Sequence, residues 1–430
     1  MTNLIAINPP NNYSVGFLKD FPEGYQGNQH QRIESGTLTE KLIDHYGSRL
    51  TYNLLSLECE IDGNSIDIEY CQLFYQYLSI IGYKIAKDIA SDCLITACRQ
   101  NCYHPINTYL EKLKEDSSIK PIDIEKVSSD YLGTNSDLYD EILKMTLIAA
   151  VGRIRQRGIK FDNCCTLLGR QGAGKSSFWR YLASDTWFCD TFQNKDQDMF
   201  MALQSTWIFE LQELDRINPH GEKSAKLKAL LSSNIDKFKR PYSKSIGIYR
   251  RPSIIVSTVN RKDFLGDPTG SRRYWVIDIE DRKIDTQKVL RDRDRIWKSA
   301  FLAFKENMVL DLDHQFREAS LLENLNFEEE HPFLSAIQNW LGNPITLDEY
   351  REGYIARPVK LNLEEGFTTR DAIVNSKVRD EKAIRPSDYK GASECLRKLG
   401  FELGKQKRKN GKQVRLWKKK SLDVTANCIH

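Results

Sequence analysis

The sequence predicts an α/β core over residues 136–312, preceded by a mostly helical N-terminal region and followed by a module patterned like a winged helix. Three observations carry this expectation. Residues 136 to about 310 alternate helical patterns with short apolar runs. One of those runs leads into a glycine-rich loop and then into a helix-compatible segment. From Ser387 onward the chain reads helix, turn, strand, turn, strand, and it is dense in lysine and arginine.

The length of 430 residues fits about two to four domains. Hydrophobic residues make up 40% and charged residues 28%, an ordinary composition for chains that bury a core. No stretch approaches the roughly 18 apolar residues of a membrane-spanning helix. Met1 to Gly16 lack the basic and then apolar pattern of a secretory signal. A cytoplasmic protein with no membrane partner is expected. The ten cysteines form no paired C-x-x-C sets, so neither a zinc ribbon nor a disulfide framework is implied. Cys98, Cys102 and His104 are the nearest thing to a metal cluster, and they lack a fourth ligand; ordinary helix packing is the expectation there.

Residues 1–35, rich in Asn, Pro, Gly and Gln, read as a flexible arm. Residues 36–135 read as a mostly helical domain ending in a polar linker from about 115. Within it Tyr70, Leu73, Phe74, Tyr77, Leu78 and Ile81 share one helical face. Glu58, Glu60, Asp62, Asp67 and Glu69 read as strand and turn residues rather than as primase chemistry. The acidic stretch 313–332 reads as a linker, 333–420 as a helical and winged-helix-like module, and 421–430 as a tail.

The strongest signal is Gly169-Arg-Gln-Gly-Ala-Gly-Lys175-Ser176, a full match to G-x-x-x-x-G-K-[ST]. Cys164 to Leu168 form the apolar strand before it, and Ser177 to Ala183 the helix after it. Glycines let successive backbone N–H groups turn onto phosphates at a helix N-terminus. Gly169, Gly172, Gly174, Lys175, Ser176 and Ser177 are therefore the ATP-binding candidates. Lys175 would reach the outer phosphates, and the Ser176 hydroxyl would serve Mg²⁺.

Such a loop needs a carboxylate beside it to hold the metal and orient water. Thr206-Trp-Ile-Phe-Glu210-Leu-Gln-Glu213-Leu214 supplies two, with Glu210 on the Mg²⁺ side and Glu213 on water; the roles could be exchanged, and Asp215 is a weaker third candidate. Ser253 to Asn260 is a buried strand ending in polar residues, which places Asn260 near the γ-phosphate or attacking water with Thr258 behind it. Gly270-Ser-Arg272-Arg273-Tyr-Trp275 offers an arginine for transition-state charge, supplied across a subunit interface; either Arg272 or Arg273 suits the role.

Two basic stretches point to DNA. Asp236 to Lys244 interleaves Arg240 and Lys244 with Phe238 and Tyr242, a pattern for a nucleic-acid channel or for a solvated loop packing its tyrosine. The net charge is +4, yet residues 370–420 hold 17 Lys/Arg against 6 Asp/Glu. Arg397 and Lys398 would lie on a helix, and Lys407, Arg408, Lys409, Lys412 and Arg415 on a hairpin wing around an Asn410-Gly411 turn. Leu399, Phe401, Leu403, Val414, Leu416 and Trp417, interleaved with them, argue for a folded module rather than a basic tail.

The order of these elements resembles the virulence-associated E family of P-loop proteins, relatives of the superfamily 3 viral helicases and of the helicase part of poxvirus-type primase-helicases. The resemblance covers roughly residues 50–310. It rests on Asn101-Cys-Tyr-His104-Pro105, the glycine loop, Trp187-Phe-Cys-Asp190, Glu210 with Glu213, Phe238-Lys-Arg240-Pro-Tyr242, Thr258-Val-Asn260-Arg, and Phe264 to Trp275 with its tandem arginines. It implies an AAA+/superfamily 3-like ATPase core and an ATP-dependent, hexameric, DNA-acting protein of a phage, plasmid or integrated mobile element. Its place would be the cytoplasm of a bacterial or phage-infected cell. A separate primase or polymerase would be its partner. The alternative is a DNA-binding regulatory or defence ATPase that does not unwind.

Overall fold

The computed structural model describes residues 15–18, 20–26, 29–193, 195–212, 222–239, 245–265, 271–328, 331–350, 353–358, 365–409 and 412–419. The chain divides into two compact units, Met1–Glu328 and Glu329–His430.

The first unit opens with β1 (Tyr25–Gln26), β2 (Gln29–Arg32), α1 (Ser35–Tyr46), β3 (Leu50–Asn53), β4 (Glu58–Ile61), β5 (Asn64–Ile66), α2 (Ile68–Ile80), β6 (Tyr83–Lys84), α3 (Lys87–Arg99) and β7 (Cys102–Tyr103). The predicted helical face is α2, and it buries Phe74 and Leu78 completely. The region is less helical than its periodicity suggests. A four-stranded sheet, β5-β4-β3-β7, stands beside the helices, and a second sheet joins β1, β2 and β6. Its strands escape periodicity analysis because they are at most four residues long and mix polar with apolar side chains. Of the acidic candidates, Glu58 and Glu60 fall on β4 and Asp62 on the turn that follows it, while Asp67 caps α2 and Glu69 lies in its first helical turn. The expected arm is partly anchored: Leu18, Phe21 and Ile33 sink into the same core as Leu38, Leu42 and Leu94.

Next come α4 (Pro105–Glu115), α5 (Val127–Leu132) and α6 (Asp137–Arg155). The polar stretch from 115 to 135 is not a free linker. Val127, Tyr131 and Leu132 are buried, and Asp140 accepts from both the backbone N–H and the hydroxyl of Ser129, at 2.8 and 2.6 Å. His104 is the N-cap of α4, its Nδ1 accepting from Asn107 N–H at 3.4 Å. Burial, helped by Arg157, holds its imidazole down at about 4, so it is neutral at ordinary pH. Cys98 is buried in α3, and the Cys102 thiol donates to the Arg99 carbonyl. Among the described residues no group of three or more His, Cys, Asp or Glu side chains could hold a metal.

The core follows as β8 (Cys164–Leu168), α7 (Lys175–Ala183), β9 (Phe188–Cys189), α8 (Asp196–Gln204), β10 (Ile208–Gln212), α9 (Glu222–Ser232), β11 (Ile235–Phe238), β12 (Gly247–Arg250), β13 (Ile254–Val259), β14 (Tyr274–Asp278), α10 (Thr286–Ala303) and α11 (His314–Asn324). Five strands form one sheet in the order β14-β8-β13-β10-β9, and every pairing is parallel. The expected α/β class with a parallel sheet is what the structure has. Apolar runs with no alternation, such as Ile254 to Val259, suit strands covered on both faces. Leu167, Val256 and Ile277 face α6, α7 and α10, while Leu168, Ile255 and Val276 face α8, α9 and Phe327. β11 and β12 make a separate antiparallel ribbon. Within the expected linker 313–332, His314–Asn324 fold as α11, whose Asn324 Nδ2 donates to the carbonyls of Ser271 and Tyr274, both at 2.9 Å. Acidity hid a helix whose inner side is carried by Ser320 and Asn324 rather than by large apolar residues.

The second unit holds α12 (Leu334–Gly342), β15 (Ile345–Tyr350), β16 (Gly353–Pro358), α13 (Thr369–Asn375), α14 (Pro386–Lys398), β17 (Phe401–Leu403), β18 (Lys407–Lys409), β19 (Lys412–Val414) and β20 (Trp417–Lys419). The helix expected from Ser387 is α14. β17 pairs with β20 and β18 with β19, both antiparallel. Trp417 is wholly buried among Trp340, Phe367, Ile373, Leu396 and Phe401, and its Nε1 donates to Thr369 Oγ1 at 2.9 Å. The apolar residues threaded through the basic stretch thus build a core, and it is not a solvated tail.

Candidate functional site

The site grows from the C-terminal ends of β8, β10 and β13, where open parallel sheets place their ligands. The loop from Gly169 leaves β8 and enters α7 at Lys175. Gly172 and Gly174 have φ of +79° and +92°, a region where a side chain would be strained, and Gly174 is the N-cap of α7. Gly169 N–H is tied to the Val259 carbonyl of β13 at 3.3 Å. Ser177 is half-buried in the first turn of α7.

Lys175 is buried under this loop. Its Nζ donates to the carbonyls of Gly169 and Arg170 at 2.7 and 2.9 Å, and to Asn260 Oδ1 at 3.0 Å. Ser176 Oγ donates to Glu210 Oε1 at 2.7 Å, and Thr258 Oγ1 donates to the same oxygen at 2.6 Å. Register explains the convergence: Glu210 sits on β10 opposite Val256, two residues before Thr258 on β13. The structure therefore brings Lys175, Ser176, Glu210, Thr258 and Asn260 together.

Glu210 is fully buried, and burial raises its carboxyl above the usual range even though the Thr258 and Ser176 hydroxyls pull the other way. Its second oxygen, Oε2, is buried without a hydrogen-bond partner among the described residues. A hydroxyl and a carboxylate with an orphaned oxygen make a hard-oxygen donor set that fits Mg²⁺. An expected outcome follows from the raised carboxyl. Metal binding needs the ionised form, so if the site holds Mg²⁺ with a nucleotide, that binding should weaken as pH falls through the raised range of this carboxyl and should release protons there. Calorimetry in buffers of different ionisation enthalpy counts those protons; Glu210→Gln should bind Mg²⁺ nucleotide more weakly and release fewer.

Three residues absent from the site expectations flank this cluster. Asp190, just past β9, accepts from Arg180 Nη2 at 2.9 Å and from Gln212 Nε2 at 3.0 Å. Arg180 also reaches Asp185 at 3.2 Å. Asp190 and Arg180 push the Glu210 carboxyl in opposite directions. A carboxylate straight after a strand end was the available signal for Asp190.

Other expected residues lie elsewhere. Arg272 is exposed, and Arg273 Nε donates to Ser232 Oγ of α9 at 3.0 Å; neither shares the hydrogen bonds around Glu210. Glu213, Asp215, Arg240, Tyr242, Lys244 and Gly270 lie outside the described residues. Asp236 is no part of a basic surface: it is buried against Arg251. In the second unit Arg397 and Lys398 are exposed in the last turn of α14, and the Arg397 guanidinium lies 5.7 Å from the Trp417 ring centre. Arg415 is exposed. Lys407, Arg408, Lys409 and Lys412 fall on the β18–β19 ladder, described for backbone only.

Among the described residues no helix is long and apolar enough to cross a membrane. No curated protein matches the chain. Among the solved structures that align with it are the A-form apo NrS-1 C-terminal region, at 13% identity over 72% of this chain and 78% of that one with a TM-score of 0.36, and the same region bounded as 305–718, at 12% over 71% and 77% with a TM-score of 0.38. Similarity of that degree says nothing further about this chain. The profile of the virulence-associated protein E-like domain matches residues 110–330, which is just over half of the chain and spans the whole glycine-loop site. The chain belongs to the virulence-associated protein E-like family.

Proposed function

We propose that this protein is a Mg²⁺-dependent ATPase acting on DNA, as a helicase or replication-initiation motor of a phage, plasmid or integrated mobile element. The observation that carries the reading is the meeting of Ser176 with Glu210 at the mouth of a glycine loop, with the Lys175 ammonium held beside them. Lysine on loop carbonyls and on Asn260 is positioned to exchange those partners for phosphate oxygens. Ser176 and Glu210 would hold Mg²⁺, which supplies charge neutralisation on the phosphates. Asn260 contacts the terminal phosphate or the attacking water, and Glu213 orients that water. Arg272 or Arg273 serves a neighbouring subunit's site, which fits the absence of both from the hydrogen bonds around Glu210 among the described residues. Arg180 and Asp190 keep Gln212 and the end of β10 in place.

On this reading residues 136–312 are the ATPase domain of a hexameric ring, 36–135 an N-terminal domain, and 333–420 a winged-helix-type DNA-binding module. The basic β18–β19 hairpin after α14, with Arg415 exposed beyond it, supports the last assignment. A primase or polymerase would be a separate partner. The test is ATP turnover with and without single-stranded DNA, alongside strand displacement on a forked duplex. DNA-stimulated turnover with displacement is expected. Turnover without displacement would make the protein a DNA-binding regulatory or defence switch, and no turnover in Mg²⁺ would end the reading.

A further inference from the structure

Two carboxylates beside the glycine loop stand level with each other on neighbouring strands. β9 and β10 run parallel, with Phe188 opposite Ile208 and Cys189 opposite Phe209. One step further along each come Asp190 and Glu210. Neighbouring strands lie about 4.8 Å apart, so the two acids share the C-terminal end of the sheet. Helix α7 reaches both from one face: Ser176 donates to Glu210, and Arg180, four residues on, donates to Asp190. Gln212, two residues past Glu210 on β10, also donates to Asp190 Oδ2. Both donors therefore fall on Oδ2, and Oδ1 accepts from none of the described residues. Glu210 likewise keeps Oε2 unpartnered among the described residues, and it is wholly buried.

We propose that Asp190 is a second carboxylate of the cation site, reaching Mg²⁺ through water while Ser176 and Glu210 ligate it directly. Mg²⁺ gives up its water reluctantly, and proteins usually hold it by one or two carboxylates beside the phosphates of a substrate. Groups that accept from such waters set metal affinity nearly as firmly as the ligands do. The Asp190 side chain is 27% exposed, open enough to meet water, and its Oδ1 is the acceptor on offer. Arg180 accounts for the indirect contact: a carboxylate already shared with a guanidinium has less charge to give a metal. That guanidinium is itself held 4.8 Å from the centre of the Phe188 ring, on the strand that delivers Asp190. Stability is a weak reason for the pair, because partners 42% and 27% exposed contribute little to folding. The inference rests on the Mg²⁺ nucleotide reading above and adds to it a residue that sets the affinity for the metal.

The test measures affinity for a fluorescent, non-hydrolysable ATP analogue, first in EDTA and then over a Mg²⁺ series. Asp190→Asn should raise the Mg²⁺ concentration for half-saturation about tenfold and leave the affinity in EDTA unchanged or tighter. Asp190→Ser is the second variant should the first lose cooperative unfolding. Arg180→Met separates service to the metal from anchoring of the helix. It breaks the link to α7 but keeps the Asp190 charge, so its half-saturation should stay level or fall. Equal rises in Asp190→Asn and Arg180→Met would overturn the proposal, since the pair would then act only as an anchor. So would a loss of affinity in EDTA as large as the loss in Mg²⁺. Asp190 variants with wild-type half-saturation, beside a Glu210→Gln variant that raises it, would overturn this inference and leave the Mg²⁺ nucleotide reading standing. If Mg²⁺ changes the affinity of neither the wild type nor Glu210→Gln, that reading falls and takes the inference with it.

Discussion

Lys175→Ala should lower ATP turnover by about 100-fold or more while leaving the protein folded and bound to DNA. The Lys175 ammonium is the one side-chain cation hydrogen-bonded inside the glycine loop among the described residues. It is pre-positioned by two carbonyls and by Asn260, so its charge is present without rearrangement when negative charge develops on a phosphate. Alanine removes that charge and leaves the Gly169 and Arg170 carbonyls to find water. Salt-dependent DNA binding, which the account gives to the basic C-terminal module, should keep its affinity and its slope against salt. Fluorescence anisotropy at two ionic strengths, run beside a turnover assay, checks both halves. Joint loss of turnover and DNA binding in a folded variant would contradict the division of labour.

The second large effect concerns stability. Asp236→Ala should cost about 3–5 kcal/mol, read as a lower urea midpoint. Asp236 and Arg251 form an ion pair with side chains 0% and 1% exposed, joined by Oδ1 to Nη2 at 2.5 Å and Oδ2 to Nε at 3.1 Å. Arg251 Nη1 also donates to the Leu230 carbonyl at 2.6 Å. Arg153 lies near enough that burial and the Arg251 charge bring its guanidinium down to about 10. Removing the carboxylate would leave the buried Arg251 guanidinium without its counter-charge and take from Arg153 one of the two carboxylates that offset it. Arg251→Met in the Asp236→Ala background should recover part of the loss, since replacing both members of a buried pair is far milder than orphaning one. An unchanged midpoint for Asp236→Ala would show that water reaches the pair.

Much of the core could be read from residue order. The glycine loop declared its own strand and helix. The runs 206–212 and 253–260 carry apolar side chains without alternation, and both are buried parallel strands. The polar residues toward their ends, Glu210 and Thr258 with Asn260, were legible for the same reason: a hydrophilic side chain closing an apolar strand lies where the strands run out, at their C-terminal ends. The order of the strands was not legible, because nothing in β14 says that it lies beside β8. Arg180 and Asp190 were missed as partners because an ion pair between a helix and a strand end leaves no periodic trace. The stretch 313–332 misled through composition: a helix held by Asn324 side-chain hydrogen bonds needs few large apolar residues on its inner face. The basic hairpin and its buried Trp417 were legible because apolar residues recur among the lysines at strand spacing.

The most direct test of the account is a structure of the protein with Mg²⁺ and a non-hydrolysable ATP analogue. Phosphates are expected within the Gly169–Ser176 loop, with Lys175 released from the Gly169 and Arg170 carbonyls onto them, and with density for a cation between Ser176 and Glu210. A nucleotide bound elsewhere, with Lys175 still on those carbonyls and Glu210 still closed on Ser176 and Thr258, would contradict it.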